Sequence, residues 1–358
     1  MFETVSIRKL IFKLTHWESW HHLAKYIPLA PVWLWYCLKA RSFWFFTASN
    51  PTITFGGFEG ESKQEIYEQL PNGSYPKSIY ISPKSDFSSI EQLIEERGFP
   101  FPFVVKPNVG MMGFMFRKIN SLKELQLYHE KVPANYIIQK LIDYPIEVSV
   151  FYYRMAGKRS GTSSGFLMKQ PPEILGDGRL TMQVLIRENK DLEYNLDGIN
   201  TRHQDRFAVI FQVGKRFILS HASNRSQGGK LLNLQHEIDQ KLTAVFDKIS
   251  QHSRYFYYGR YDIKCASIGA LKNGTEFSIL EYNGSGAGIQ HIYGNGLSLW
   301  QACKLILSHW EKLYQISAHN NKVNGIPFWG YKKGRAFLKS ALRNLKHLKK
   351  VDIEFPSF

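Results

Sequence analysis

The chain has 358 residues, of which 44% are hydrophobic and 21% charged, enough for two or three domains with a substantial buried core. Its three cysteines, Cys37, Cys265 and Cys303, have unrelated spacings, which excludes a disulfide framework or zinc motif and favours a reducing compartment, the cytoplasm. The net charge of +16 predicts attraction to polyanions: nucleotides, nucleic acid or an anionic membrane surface.

The first region, residues 1–75, is rich in tryptophan and holds five of the eight in the chain. Its apolar run Ile27–Leu38 contains two prolines and is followed by Lys39 and Arg41. The run is shorter than the roughly 20 residues of a membrane span. Two interpretations stay open: a helix packed on the body of the protein, or a helix lying in the interface of a membrane, at its inner face.

The middle region, residues 76–320, alternates strand and helix patterns, which indicates an α+β or α/β architecture. Runs rich in β-branched and aromatic residues predict strands, and amphipathic spacing predicts helices. The predicted strands are Phe101–Lys106, Phe114–Ile119, Tyr136–Ile142, Glu147–Arg154, Arg260–Ser267 and Glu276–Asn283. The predicted helices are Leu122–Lys131, Leu234–His252 and Leu297–Ile316.

The last region, residues 321–358, is a basic tail. Phe337, Leu338, Leu342 and Leu345 recur at helical spacing, and lysines and arginines fill the opposite face. Such a helix either docks on anionic lipid or packs on the core with its lysines in solvent.

Three segments of the middle region carry polar residues that suit nucleotide binding. Lys106 ends an apolar strand and precedes a glycine-containing turn, a pattern that binds phosphate but also occurs in ordinary hairpins. The segment Gln139–Ile142 can present its backbone and an aliphatic side chain to an adenine, and Glu147 can accept bonds from a ribose. In isolation, Glu147 is better explained as an ordinary carboxylate at a strand edge. The loop Asn224–Gly229 has the composition of a close backbone approach or a simple turn.

The two predicted strands near the C-terminus carry the most specific pattern. Arg260 and Asp262 share one face of the first strand, and Glu281 and Asn283 share one face of the second. If these strands pair, all four side chains converge. Two carboxylates and an amide beside an arginine indicate either an ion pair or a Mg²⁺ site next to phosphate, and we favour the metal site.

Taken in order, these motifs resemble the ATP-grasp superfamily, in particular carboxylate–amine ligases of the D-alanine–D-alanine ligase, glutathione synthase and cyanophycin synthetase type. The resemblance covers about residues 76–316 and includes Gly176-Asp177-Gly178 and the Asn224–Gly229 loop. It implies an α+β fold in which two subdomains, residues 76–150 and 151–320, clasp ATP.

The resemblance also implies roles for individual residues. ATP is bound by Lys106 at the α- and β-phosphates, by Gln139, Lys140 and Ile142 at the adenine, and by Glu147 at the ribose. Lys169 is a further cation for phosphate or substrate, with a solvated lysine as the alternative.

The same resemblance implies the metal site and the catalytic residues. Asp262, Glu281 and Asn283 hold Mg²⁺, for which Mn²⁺ can substitute. Arg260 and Asn224 act beside the transferring phosphate, and His221, near Asn224, could face the acceptor.

The implied reaction is ATP-dependent formation of an amide from a small-molecule carboxylate and an amine through an acylphosphate, with release of ADP and phosphate. The alternatives are a kinase on the same scaffold, acting on a small-molecule or lipid-linked acceptor, and a non-catalytic basic protein of the membrane surface. Nucleic acid is the least favoured partner, because the charge accompanies no RNA- or DNA-binding motif. We expect Asp262→Ala and Glu281→Ala to abolish ATP turnover and leave the fold intact.

Overall fold

The computed structural model describes residues 17–20, 22–111, 113–189, 192, 199, 203–220 and 229–355. Within these residues, strands and helices combine in the predicted α+β class, and the paired strands are antiparallel. The strands are β1 Ser78–Ile81, β2 Phe103–Pro107, β3 Arg117–Ile119, β4 Tyr136–Lys140, β5 Ile146–Tyr153, β6 Thr162–Gln170, β7 Glu173–Leu175, β8 Arg216–Ile218, β9 Lys230–Asn233, β10 Tyr258–Cys265 and β11 Phe277–Asn283. The α-helices are α1 His22–Tyr26, α2 Ala30–Ala40, α3 Lys63–Tyr67, α4 Phe87–Glu96, α5 Leu122–Lys131, α6 Met182–Glu188, α7 Gln240–His252, α8 Ile268–Lys272, α9 Leu299–Val323 and α10 Tyr331–Glu354.

The first sheet has the strand order β1-β4-β2-β3. Helices α4 and α5 pack on it, and each begins at a side chain that accepts a bond from the helix backbone, Asp86 for α4 and Ser121 for α5. Leu348 and Phe355, from α10 and its end, are buried in the same core. The C-terminal helix therefore belongs to the packing of this sheet.

The second sheet has the strand order β11-β10-β5-β6-β9. Helix α7 covers one face with Leu242, Val245, Phe246 and Ile249, whose spacing of three and four residues places them on one side of the helix. Helix α9 and the N-terminal helices cover the other face, around Phe151 of β5. The second sheet is thus buried on both faces.

The tryptophan-rich region packs on α9 through one side of α2. Trp33 makes an edge contact with Trp310 at 5.1 Å between ring centroids, and Tyr36 stacks on Tyr314 at 4.9 Å. The opposite side of α2, with Trp35, is exposed. In the part of the chain that the structure describes, no helix is both long and apolar enough to cross a membrane.

Two predicted elements begin three or more residues later than their sequence patterns indicate. Helix α7 begins only at Gln240, because the carboxylate of Asp239 accepts the backbone N–H of Leu242 at 2.8 Å and fixes the start there. Strand β3 begins at Arg117, because Met115 before it has a left-handed backbone with φ of 57°.

Candidate functional site

Strands β10 and β11 pair in the register that brings the four predicted polar residues together. Arg260 lies opposite Asn283, and Asp262 lies opposite Glu281. Directly opposed residues of an antiparallel pair point to the same face, so the side chains form one group. The convergence expected from the sequence is therefore present.

Asp262 is buried among cations. Arg260 donates to both of its carboxylate oxygens, from Nε and Nη2, each at 3.0 Å. Lys169 Nζ lies 2.9 Å from Oδ1, and Ser149 Oγ donates to the same oxygen. Burial by itself raises the pKa of Asp262, but Arg260 and Lys169 outweigh it and hold that pKa well below its usual range. The carboxylate is thus ionised and extensively partnered.

Lys169 takes part in this group and is not a solvated lysine, which makes that alternative wrong. Its residue is only 4% exposed, on the inner strand β6. Besides Asp262, its ammonium lies 3.6 Å from Oε1 of Glu147. The predicted ribose-binding carboxylate and the predicted metal carboxylate therefore share one buried cation.

The β11 half of the site is more open. The side chain of Glu281 is 36% exposed, and Lys63 Nζ lies 3.7 Å from its Oε1. Asn283 donates its amide to Oδ2 of Asp262 at 3.3 Å. Glu281 and Asn283 line a cavity of about 100 Å³, together with Lys63 and with Gly110 in the turn between β2 and β3.

Lys106 joins the two sheets. From β2 of the first sheet, its Nζ lies 3.3 Å from the carbonyl of Leu280 in β11 and 3.4 Å from Tyr67 Oη. Tyr67 Oη donates to the same carbonyl at 2.5 Å and accepts from Gln139 Nε2 at 3.1 Å. Burial lowers the pKa of Lys106 to about 8, and the neighbouring charge of Glu281 opposes that shift.

The remaining predicted residues are arranged as follows. Gln139 is buried and also donates to Ser78 Oγ at 2.9 Å. Lys140 is exposed, and the carbonyl of Ile142 accepts from Lys264 Nζ at 3.1 Å. Asn224 and His221 lie outside the described residues.

The segment Gly57–Tyr67 supplies residues that the sequence did not reveal as part of a site. Lys63 Nζ donates to the carbonyl of Gly110 at 2.9 Å. Glu61 also lines the cavity; its Oε2 is buried without a hydrogen-bond partner, and burial raises its pKa to about 7. The signal that could have pointed to this segment is its paired glycines. A Cβ at Gly57 would come within 2.8 Å of Gly284, in the loop after the metal-ligand candidates.

Helix α10 covers the turn between β2 and β3. Asp352 accepts the backbone N–H of Met115 at 2.8 Å and pairs with Arg117 at 2.9 Å. Leu348 is fully buried beneath the turn, and Ala341, about two helical turns before it, lines the cavity. The basic tail is thus one wall of the cleft, a name used for the cavity beside Glu281 together with the Lys106–Leu280 contact between the two sheets.

The donor set suits a Mg²⁺ ion that is bound jointly with phosphate. Across the described residues, no three His, Cys, Asp or Glu side chains group together as a metal cluster. Mg²⁺ needs no such cluster, since it is commonly held by one or two carboxylates plus nucleotide phosphates and water. The partly exposed carboxylate of Glu281 and the amide oxygen of Asn283 fit that requirement, whereas both oxygens of Asp262 already accept bonds from Arg260, as in the ion-pair alternative.

Comparison with known proteins gives no family model that matches the chain and no match among curated proteins. Among solved structures, the chain is similar to D-alanine–D-alanine ligase from Bacillus anthracis, at 15% identity and a TM-score of 0.40, over 73% of this chain and 68% of that one. It is also similar to the ATP-grasp ligase PsnB, at 14% identity and a TM-score of 0.37, over 74% of this chain and 62% of that one.

A third similar structure is the bifunctional glutathione synthetase from Pasteurella multocida, at 14% identity and a TM-score of 0.37. The match covers 74% of this chain and 35% of that one, so the chain spans about a third of the length of that enzyme. All three matches have a TM-score of 0.40 or less and describe a general likeness.

Proposed function

We propose that this protein is an ATP-dependent ligase that phosphorylates a substrate carboxylate and transfers the acyl group to an amine. The observation that carries the proposal is the meeting of Lys106, from the first sheet, with the Glu281 end of β11 in the second. Lys106 thus contacts the strand that carries the partly exposed carboxylate of Glu281, and Gly110 of the turn after β2 lines the same cavity as Glu281. A cation, a carboxylate and a glycine turn are groups that can bind a nucleotide triphosphate and its metal.

In this proposal the triphosphate lies along the cleft. Lys106 neutralises the α- and β-phosphates, and the glycine turn after β2 supplies backbone N–H groups. The base is held near Lys140 and Ile142, and the ribose near Glu147. Glu281 and Asn283 would hold Mg²⁺ together with the phosphates, with the negative charge of Asp262 behind them, and the ion would neutralise charge on the transferring group.

The residues around the phosphate act by position and charge. Arg260, fixed by Asp262 and by its bond to the carbonyl of Gly288 at 2.9 Å, is a rigid cation beside the transferring group. Arg260 and Lys169 together hold the pKa of Asp262 low and keep that carboxylate ionised. Little covalent chemistry is asked of the protein, as in other phosphoryl transfers.

The proposed reaction has two steps. An oxygen of the substrate carboxylate attacks the γ-phosphorus, the bond from that phosphorus to the β–γ bridging oxygen breaks, and ADP leaves. The nitrogen of the amine then attacks the acyl carbon, the carbon–oxygen bond to phosphate breaks, and the amine gives up a proton. The cavity beside Glu281 and Asn283, lined also by Glu61 and Lys63, is a place for the acceptor next to the γ-phosphate.

The test combines nucleotide binding with trapping. Mg²⁺–ATP binding is measured by calorimetry, and the protein is then incubated with Mg²⁺–ATP, hydroxylamine and a panel of amino acids, dicarboxylates and short peptides. Hydroxylamine converts an acylphosphate to a hydroxamate, which is read by its iron(III) colour. An ATP-dependent hydroxamate supports the ligase. ADP with a stable phosphorylated alcohol would instead show a kinase, and absence of ATP binding would rule out both.

A further inference from the structure

Helix α2 is apolar on both sides, but only one side is covered. Residues 27–38 contain no charged side chain. The inner side, with Trp33, Tyr36 and Cys37, is packed in the core formed with α9. A helix that is apolar all round is normally enclosed by protein or by a membrane, so the uncovered side calls for an occupant.

The uncovered side is a stripe at helical spacing. Ile27, just before α2, is 69% exposed, and Leu34, Trp35 and Leu38 are 52%, 59% and 72% exposed. Offsets of seven, eight and eleven residues from the first position place all four on one side of the helix. Isolated exposed apolar residues are ordinary, but a contiguous stripe marks an interaction surface.

The stripe extends onto neighbouring aromatic residues. Phe43 is 56% exposed and lies 5.7 Å, between ring centroids, from Tyr331, which is 55% exposed at the start of α10. Trp44 links the segment after α2 to the start of α10, because its Nε1 donates to the carbonyl of Tyr331 at 3.2 Å. The apolar face is defined here as Ile27, Leu34, Trp35, Leu38, Phe43 and Tyr331.

The charged residues in the segments that carry the apolar face are positive. Residues 27–43 contain no acidic residue, and Lys39 and Arg41 at the end of α2 are exposed. Residues 331–350 of α10 contain eight lysines and arginines and no acidic residue, and all eight are exposed. Two such faces on two copies of the chain would bring like charges together, which disfavours a self-associating dimer. Trp and Tyr beside Lys and Arg instead match the interface of an anionic bilayer.

We propose that the apolar face inserts at the surface of an anionic membrane, with the basic side of α10 lying along the lipid headgroups. Helix α10 has 24 residues and at 1.5 Å per residue spans about 36 Å. It starts at the apolar face, lines the cavity with Ala341, Asn344 and Leu345 near its middle, and ends over the turn between β2 and β3. Docking in this way brings the cleft close to the bilayer surface. This inference stands on the exposed face and its charges, whatever reaction the cleft performs.

The test is sedimentation of the full chain with vesicles. One set contains equal parts of phosphatidylglycerol and phosphatidylcholine, and the other only phosphatidylcholine. We expect binding to the anionic vesicles, weaker binding to the neutral ones, and a steep loss between about 0.1 M and about 0.5 M salt, because added salt screens the attraction.

Two double variants test the apolar contact and the basic charges separately. Leu34→Glu with Trp35→Glu should weaken anionic-vesicle binding at least about tenfold, since apolar contact with the acyl region is lost. Lys332→Glu with Lys333→Glu should weaken binding and remove most of its salt dependence. Val213→Glu is the matched control, because Val213 is 80% exposed in the turn before β8 and outside the apolar face. Circular dichroism and the thermal midpoint should be unchanged in all three variants.

Three results would overturn the proposal. One is equal sedimentation with and without vesicles. Another is anionic binding that survives Leu34→Glu with Trp35→Glu as well as it survives Val213→Glu. The third is a dimer, seen by light scattering after size-exclusion chromatography, that Trp35→Glu dissociates while no vesicle binding occurs. That result would assign the face to a second copy of the chain.

Discussion

The two halves of the β10–β11 site differ in how their charges are balanced. On β10, Asp262 is 5% exposed and its oxygens accept from Arg260, Lys169, Ser149 and Asn283. On β11, Glu281 is 36% exposed, with one cation at 3.7 Å. A buried charge must be paired with other groups of the protein, whereas a partly exposed carboxylate can exchange water for a ligand. The charges on β10 are therefore paired within the protein and stay in place, whereas Glu281 on β11 is free to exchange its water for a ligand.

The largest expected effect is that of Asp262→Ala on stability. Removing this carboxylate leaves Arg260 and Lys169 buried without their counter-charge, which should lower the free energy of unfolding by about 3–5 kcal/mol. This replaces the expectation from the sequence that the variant keeps its fold intact. Urea unfolding measures the change, and Asp262→Ala with Lys169→Met should recover part of it. An unchanged unfolding midpoint for Asp262→Ala would mean that the two halves do not differ as described.

Glu281→Gln should separate function from stability. We expect ATP turnover to fall by at least about 100-fold, the scale of losing a group that stabilises transferring charge. The free energy of unfolding should change by less than about 1 kcal/mol, because the side chain is partly exposed and weakly paired. Glu311→Gln, an exposed carboxylate of α9, is the control. Turnover equal to that of the control would remove Glu281 from the site.

Glu61→Gln should change how the stability of the protein depends on pH, because Glu61 is a buried carboxyl that lines the cavity. The pKa of Glu61 is raised from 4.5 to about 7, so the folded protein binds a proton that the unfolded chain releases, and stability falls as pH rises from about 4.5 to 7. A neutral glutamine avoids this loss. The variant should be more stable than wild type by about 1–3 kcal/mol above pH 7 and equal to it near pH 4. Parallel unfolding curves across that range would contradict the burial of this carboxyl.

The smallest expected effect is the pH dependence that Lys106 gives to ATP binding. With its pKa lowered to about 8, Lys106 is an ammonium below that pH and loses its charge as pH rises through it. ATP affinity should therefore fall several-fold above about pH 8 in wild type. Lys106→Arg should flatten this fall, because arginine keeps its charge. Calorimetric titrations at a series of pH values measure it, and an identical fall in Lys106→Arg would assign the titration to another group.

The sequence predicted the parts of the site that local patterns carry. Composition predicts the two strands that carry Arg260 with Asp262 and Glu281 with Asn283. The two-residue period of a strand then places each pair on one face. Strand pairing then brings the pairs together, as the register of Asp262 with Glu281 confirms. Local spacing was sufficient because the key contacts lie within neighbouring strands.

The contacts it could not predict join residues far apart in the chain. Tyr67 meets Leu280 across 213 positions, and Lys63 meets Gly110 across 47. The sequence left open whether Lys169 is a cation of the site or a solvated lysine, since only the packing of β6 in the sheet with β5 and β10 encloses its side chain. No periodicity encodes such contacts, because they depend on how the N-terminal segment and α10 close over the sheets.

The most direct test of the account is calorimetric titration of Mg²⁺–ATP into wild type, Glu281→Gln and Lys106→Met at neutral pH, with Glu311→Gln as control. The account predicts that wild type and the control bind ATP with the same Kd. It also predicts that each of the other two variants loses most of this affinity while unfolding at a temperature no lower than about that of wild type. If all four proteins bound ATP with the same Kd, or if none bound it, the cleft between Lys106 and Glu281 would not be a nucleotide site.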